Sequence, residues 1–299
     1  MFRNIVKAEM NEVSAIYVTR VKGSNAFVSV LHVCRGTNFA SNLHPGVTML
    51  PNNPSLSTMK TLIFIITLAG GVHPPQAACN PLDNFFSKAD LFLRTHVTNG
   101  LVDYNAIKSG PQSLNALVNM MADTELSAAS QSEKKAFWIN AYNITMIISV
   151  IDNMPMKSPL DVPGLFDSKK HKIAGEMMTL NDLEKKKLLE VHHDARIHFV
   201  LVCGAKGCPT LLSGAYLPGR LESQIMTQTK LALNDPRFIR ADSRSRRVSL
   251  SEIFKWYEAD FTTGGMTVLQ YVNQFRTAPI PSDYKVDYYE YDWSLNIKG

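Results

Sequence analysis

Two cysteines, Cys203 and Cys208, close the stretch FVLVCGAKGCP with four residues between them. Thiols at that spacing serve as a nucleophile, a metal ligand, a disulfide or plain packing. A phosphatase-type loop needs an arginine six residues after its cysteine, to hold phosphate through two parallel hydrogen bonds. Pro209 stands there instead. A thioredoxin-like pair has two intervening residues, not four. Zinc would have to recruit His192, His193 or His198, and that spacing fits no standard structural set. No metal is therefore expected, and no cofactor. A cysteine hydrolase needs a basic histidine beside the thiolate. Read as a strand, ARIHFVLVC sets His198 and Cys203 on opposite faces, roughly 16 Å apart at about 3.3 Å per residue. A base for Cys203 would then come from His171, His192 or His193. A disulfide between Cys203 and Cys208 leads among these uses, a free functional thiol comes second, and zinc or inert packing remain.

Other polar residues sit where polar residues are costly. AFWINAYN places Asn140 and Asn143 three apart, on one face of an otherwise apolar helix. A buried amide must find partners. It either clamps a neighbouring backbone or orients a ligand or catalytic group. Glu184 lies on a helix whose other face is Leu180, Leu183 and Leu188. It is a capping or solvated carboxylate, or an acid/base. The catalytic candidates are Cys203, His198, Glu184 and Asn140, and the binding candidates are Asn143, Arg196, Lys255 and Tyr257. The aromatic helix that carries Trp256 reads as core, and so does Trp293.

These residues need elements to hold them. Helical spacing predicts helices over 81–94 and 113–121. Ser130 and Glu133 form an S-x-x-E capping box. It opens the strongest helix, 134–151, which is apolar nearly all round and hence buried. A proline-rich loop follows, then a short strand at 171–175 and a helix capped by Thr179 that runs to about His193. ARIHFVLVC reads as a strand buried on both faces. Residues 217–234 are helical. RRVSLSEIFKWYEADF reads as a strand, a cap at Ser251 and a helix ending at Phe261. A helix over 267–275 and a last strand in KVDYYEYDWSLN complete the chain. Long helices with a few separated strands give an α+β fold, one domain with buried central helices packed on a small mixed sheet.

The first eighty residues differ. Residues 1–58 keep no sustained period and end in turn formers. Met59 and Lys60 then precede the apolar run Leu62 to Val72 and small residues up to Cys79. This is the order of a secretory signal peptide, too short for a span of about 20 apolar residues. The expectation is a start at Met59, an upstream extension at 1–58 that is untranslated or disordered, a signal peptide at 59–78 and one globular domain at 79–299. Periplasmic or extracellular placement follows. Gln76 departs from both a cleavage site and a lipoprotein box, so soluble release and anchoring through a lipidated Cys79 both stay open. Cys34 falls in the extension. Export would place Cys203 and Cys208 where thiols pair.

A net charge of +5 over 299 residues is mild. The basic runs Lys185 to Lys187 and Arg244 to Arg247 lack interleaved aromatics, which argues against a nucleic-acid partner.

Five blocks in order carry a resemblance: AFWINAYN (136–143), TLNDLE (179–184), ARIHFVLVCGAKGCP (195–209), SEIFKWYEADF (251–261) and YDWSLN (291–296). Over about 101–296 the chain resembles the domain-of-unknown-function family 547. The resemblance implies no agreed activity. It implies export for bacterial members, and association with glutaredoxin-like modules in eukaryotic ones hints at thiol chemistry. Where members often have histidine after the glutamate of the second block, this chain has Lys185. The expected function is a non-catalytic binding or envelope-associated exported domain, taking an unknown small molecule or peptide. The alternative is a thiol- or carboxylate-assisted hydrolase or transferase. Convergence of Asn140, Glu184, His198 and a free thiol would favour the alternative.

Overall fold

The computed structural model describes residues 16–19, 30–33 and 81–299. The chain divides into two units, 1–79 and 80–299. In the first, strands β1 (Ile16–Thr19) and β2 (Val30–Val33) pair antiparallel. The signal peptide expected at 59–78, Cys34 and Cys79 lie outside the described residues.

The second unit is an α+β domain. Helix α1 (Pro81–His96) buries Leu82, Phe85, Phe86, Ala89, Phe92 and Leu93, the positions its 3.6-residue period picks out. A two-residue hairpin, β3 (Val97–Thr98) and β4 (Leu101–Val102), leads to α2 (Tyr104–Ser109) and α3 (Gln112–Asp123). The capping box then starts α4 (Gln131–Asn153): Glu133 N–H donates to Ser130 Oγ at 3.3 Å and Ser130 N–H to the Glu133 carboxylate at 2.7 Å. Such a cap is worth about 1 kcal/mol. Helix α4 is buried from Lys135 to Ile147 without a break and forms the centre of the first core, against α1, α3, Leu183, Leu188 and Tyr216.

A second core lies on a three-stranded sheet. Its middle strand β6 (Arg247–Ser251) pairs antiparallel with β5 (Ile239–Asp242) and parallel with β7 (Lys285–Tyr289). Val248 and Leu250 face Phe199, Phe238, Phe254 and Phe261 there.

ARIHFVLVC is not a strand. Ala195–Phe199 form a 3-10 helix capped by Asp194, and residues 200–203 run on without a ladder. The apolar run is buried on both sides for another reason. Val200, Leu201 and Val202 belong to the first core, whereas Phe199 and Ala205 belong to the second. Two cores sandwich the segment, so its composition imitates a central strand. The separation of His198 from Cys203 derived from strand geometry lapses with it. A second difference concerns the aromatic helix, which breaks at Tyr257 into two short helices, Ile253–Trp256 and Glu258–Phe261. Trp256 is 45% exposed and Trp293 half-buried, so neither is core.

Candidate functional site at the paired cysteines

A buried segment with no strand neighbours must satisfy its peptide groups otherwise. Asn143 supplies a substitute. Its amide nitrogen donates to the Val200 carbonyl at 2.9 Å, and its oxygen accepts the Val202 N–H at 3.0 Å. One side chain thus offers residues 200 and 202 what an adjacent strand would. Asn140, a turn earlier, holds Tyr216 beyond the cysteines in the same way and also donates to the Ala136 carbonyl. Both amides therefore serve backbone, Asn140 included.

Between these clamps lies the loop Cys203 to Cys208. Gly204 takes a φ of +78°, left-handed backbone that favours glycine. Gly207 packs on the Tyr291 ring so closely that a Cβ would sit 2.9 Å from it. The tail pins the loop: Lys206 N–H donates to Ser294, Gly207 N–H to Asp292, and Asn296 N–H to the Gly204 carbonyl, at 2.8, 2.8 and 2.9 Å. At the fold of the loop, Cys203 N–H points at Cys208 Sγ, 3.1 Å away. Both cysteines are free thiols and partly exposed. The Tyr291 hydroxyl lies 3.5 Å from Cys203 Sγ.

The two sulfurs are not equivalent. Hydrogen bonding to Cys208, together with burial, pushes the Cys203 thiol well above its ordinary value. Burial also opposes a thiolate at Cys208. The hydrogen bonds it receives from the Cys203 side chain, from Tyr291 and from backbone N–H groups outweigh that and bring it below the ordinary value. Any negative charge on the pair therefore rests on Cys208.

Glu184 stands on a widened turn. The helix capped by Thr179 runs as α5 (Leu180–Asp182), a π-helical stretch Leu183–Leu189 and α6 (Glu190–His192). Such stretches recur at functional sites. This one leaves Glu184 only 8% exposed, and among the described residues no lysine or arginine pairs with it. The Tyr257 hydroxyl meets its carboxylate. Burial first, then the Glu184 and Cys203 charges, push the Tyr257 phenol far up. The buried Tyr142 phenol is pushed up by burial and by the same groups. Glu184 and Cys203 thus both lie near enough to these two phenols for their charges to act on them.

His198 turns elsewhere. Its Nε2 lies 2.7 Å from an Asp260 carboxylate oxygen, and its ring stacks on Tyr257 with centroids 4.1 Å apart. That contact holds the Asp260 carboxyl below its usual range. Arg196 binds Asp194 through two nitrogens and reaches Glu222, an ion network shared with Lys135. His192, His193, Arg196 and Asp260 line a cleft of about 540 Å³ in which neither sulfur appears. Lys255 is exposed. Hence Cys203, Cys208, Glu184 and Tyr257 come together, His198 touches their edge through Tyr257, and Asn140, Asn143 and Arg196 do structural work around them. Asp260, Tyr142 and Tyr291 were missed by sequence reasoning, although Asp260 and Tyr291 sit inside the fourth and fifth blocks. Among the described residues no cluster of three histidine, cysteine or carboxylate groups could hold a metal ion.

The fold and the site define an α+β domain with a half-buried two-cysteine loop between its two cores. Residues 126–231 match the family described as protein of unknown function, DUF547. This is the family to which the five blocks pointed, and three of them fall inside the matched span. No curated protein and no solved structure matches the chain.

Proposed function

We propose that this domain performs thiol–disulfide exchange, with Cys208 as the attacking sulfur and Cys203 as the resolving one. The Cys208 thiolate attacks one sulfur of a substrate disulfide. The old S–S bond breaks, and the departing thiolate takes a proton from solvent. Cys203 then loses its proton, for which the buried Glu184 carboxylate is the base we assign, and attacks Cys208 Sγ. The second substrate thiolate leaves and is protonated in turn. The substrate disulfide ends as two thiols, and Cys203 and Cys208 end as a disulfide. The observation that carries this reading is the Cys203 N–H aimed at Cys208 Sγ at 3.1 Å. It brings the cysteines together and stabilises charge on one of them.

A binding domain whose motif residues only fix the fold would need Asn140 and Asn143 as found. It would not need an unpaired buried carboxylate beside phenols and free thiols. A hydrolase would need a base on the sulfur, and among the described residues no histidine hydrogen-bonds to either sulfur. Export on the 59–78 segment is part of the proposal, since an oxidising compartment supplies disulfide substrates. No helix among the described residues is long and apolar enough to cross a membrane.

The test is alkylation of the reduced protein across pH, read by peptide mass, followed by equilibration with a glutathione buffer. Cys208 should react first, at a rate that titrates below the usual thiol range, and one intramolecular disulfide should form. Faster labelling of Cys203, or no Cys203–Cys208 bond under oxidised glutathione, would sink the assignment.

A further inference from the structure

Trp256, Tyr291 and Trp293 form a mutually packed triad. Their ring centroids lie 5.0, 4.9 and 5.8 Å apart, and the two indoles stack at 27°. Tyr291 is the buried member, and its hydroxyl is the group beside Cys203 Sγ. Trp256 is 45% exposed. One face of the aromatic patch thus opens to solvent while the other backs the reactive sulfurs. Large exposed aromatics joined to a reactive centre mark a recognition surface. We infer that this triad seats the polypeptide around a substrate disulfide, so that the natural substrate is a protein or peptide cystine flanked by an apolar residue, not a small polar disulfide.

Three observations favour that occupant. The patch is continuous with the thiol loop through Tyr291 and Gly207, whose Cα has no room for a side chain against that ring. Lys206, exposed between the two cysteines and near the Asp292 carboxylate, offers an ammonium group to an acidic residue near the substrate cystine. Two of the nearby carboxylates are already engaged. Asp292 accepts from Ser294 N–H and Oγ at 2.9 and 2.5 Å, and Glu252 accepts from Tyr291 N–H at 3.0 Å. An apolar side chain seated on the rings needs no polar partner of its own.

This inference rests on the exchange reading, and one set of rates separates the two. The reduced protein is mixed with a cystine-bridged peptide carrying phenylalanine and glutamate beside its cysteines, and separately with oxidised glutathione. Wild type, Trp256→Ala and Trp256→Phe are compared. The alanine variant should lose about tenfold in kcat/KM on the peptide and less than about twofold on oxidised glutathione, with phenylalanine restoring most of the peptide rate. Equal losses on both substrates, or none on the peptide, overturn the platform and leave the exchange reading standing. No reaction of the wild type with either disulfide overturns both. Tryptophan quenching by an oligosaccharide, or a concentration-dependent dimer abolished by Trp256→Ala, would give the patch to another occupant and also overturn it.

Discussion

Asn140 and Tyr216 exchange two hydrogen bonds: the side-chain amide donates to the Tyr216 carbonyl at 2.7 Å and accepts its N–H at 2.9 Å. Asn140 is fully buried and Tyr216 nearly so. Leucine at 140 would keep the volume and leave both Tyr216 peptide groups unpaired. Each orphaned group costs about 1–3 kcal/mol, so Asn140→Leu should lower unfolding free energy by at least the smaller figure. Urea denaturation read by circular dichroism checks it, and an unchanged midpoint would contradict the clamp.

Asn143→Leu should cost a similar amount, because Val200 and Val202 lose their partner. It should also act on the thiols. With residue 202 loosened, the Cys203 N–H leaves Cys208 and the alkylation profile of Cys208 should move up in pH. The same shift is not expected for Asn140→Leu, which holds the chain beyond the loop. Parallel labelling of the two variants separates a local effect from general destabilisation.

Glu184→Gln keeps the hydrogen-bonding shape and removes the proton acceptor. Under the exchange reading, attack by Cys208 should stay near the wild-type rate, while decay of the mixed disulfide slows by about tenfold or more. The slow step should then quicken as pH rises, because solvent must take the proton from a thiol held well above its ordinary value. Quenched-flow mass measurement of the mixed disulfide reads both steps. A uniform slowing with no change in pH profile would reduce Glu184 to a structural role.

Asp194 sets an acid limit. Burial opposes its charge, but Arg196 and Lys135 outweigh that and bring its carboxyl from 3.8 to about 2. A carboxylate with a lowered folded value stabilises the fold above its unfolded value. That contribution is lost as pH falls from about 4 to about 2. It amounts to about 1–2 kcal/mol after allowing for solvent screening. Asp194→Asn should be less stable at pH 7 and should show a shallower loss between pH 4 and 2. Identical slopes for the two proteins would refute the assignment.

The exported form should begin near Cys79. Intact-mass and terminal-peptide measurement on native material checks this. Abundant peptides from residues 1–58 would overturn the start at Met59, and a diacylglycerol mass on Cys79 would decide for anchoring.

The sequence was legible where one residue's neighbours in the chain are also its neighbours in space. The helices over 81–96 and 131–153, and the capping box at Ser130, follow from period and local hydrogen bonding. The mate of the amide face of α4 was half legible. Two buried amides must bind something, but that they replace a strand could not be read from them. ARIHFVLVC misled because burial on both sides fits a central strand and a segment between two cores equally well. His198 and Asp260 are 62 positions apart, and Cys203 and Tyr291 are 88. No local rule links such pairs, so the groups that govern the sulfurs stayed invisible even though each lay within a recognised block.

The tail that pins the cysteine loop has a temporal meaning. Asn296 accepts the Tyr104 hydroxyl and the Val102 N–H, and residues 292–296 receive or give the hydrogen bonds of Gly204, Lys206 and Gly207. These contacts join both ends of the domain. On a ribosome, Cys203 and Cys208 emerge several seconds before Asn296 at ordinary elongation rates. During that interval the nascent chain carries two thiols without their lid, open to capture by any oxidant or foreign cysteine at the exit or translocation channel. The emergence of residues 292–296, not the formation of the helical core, closes that window.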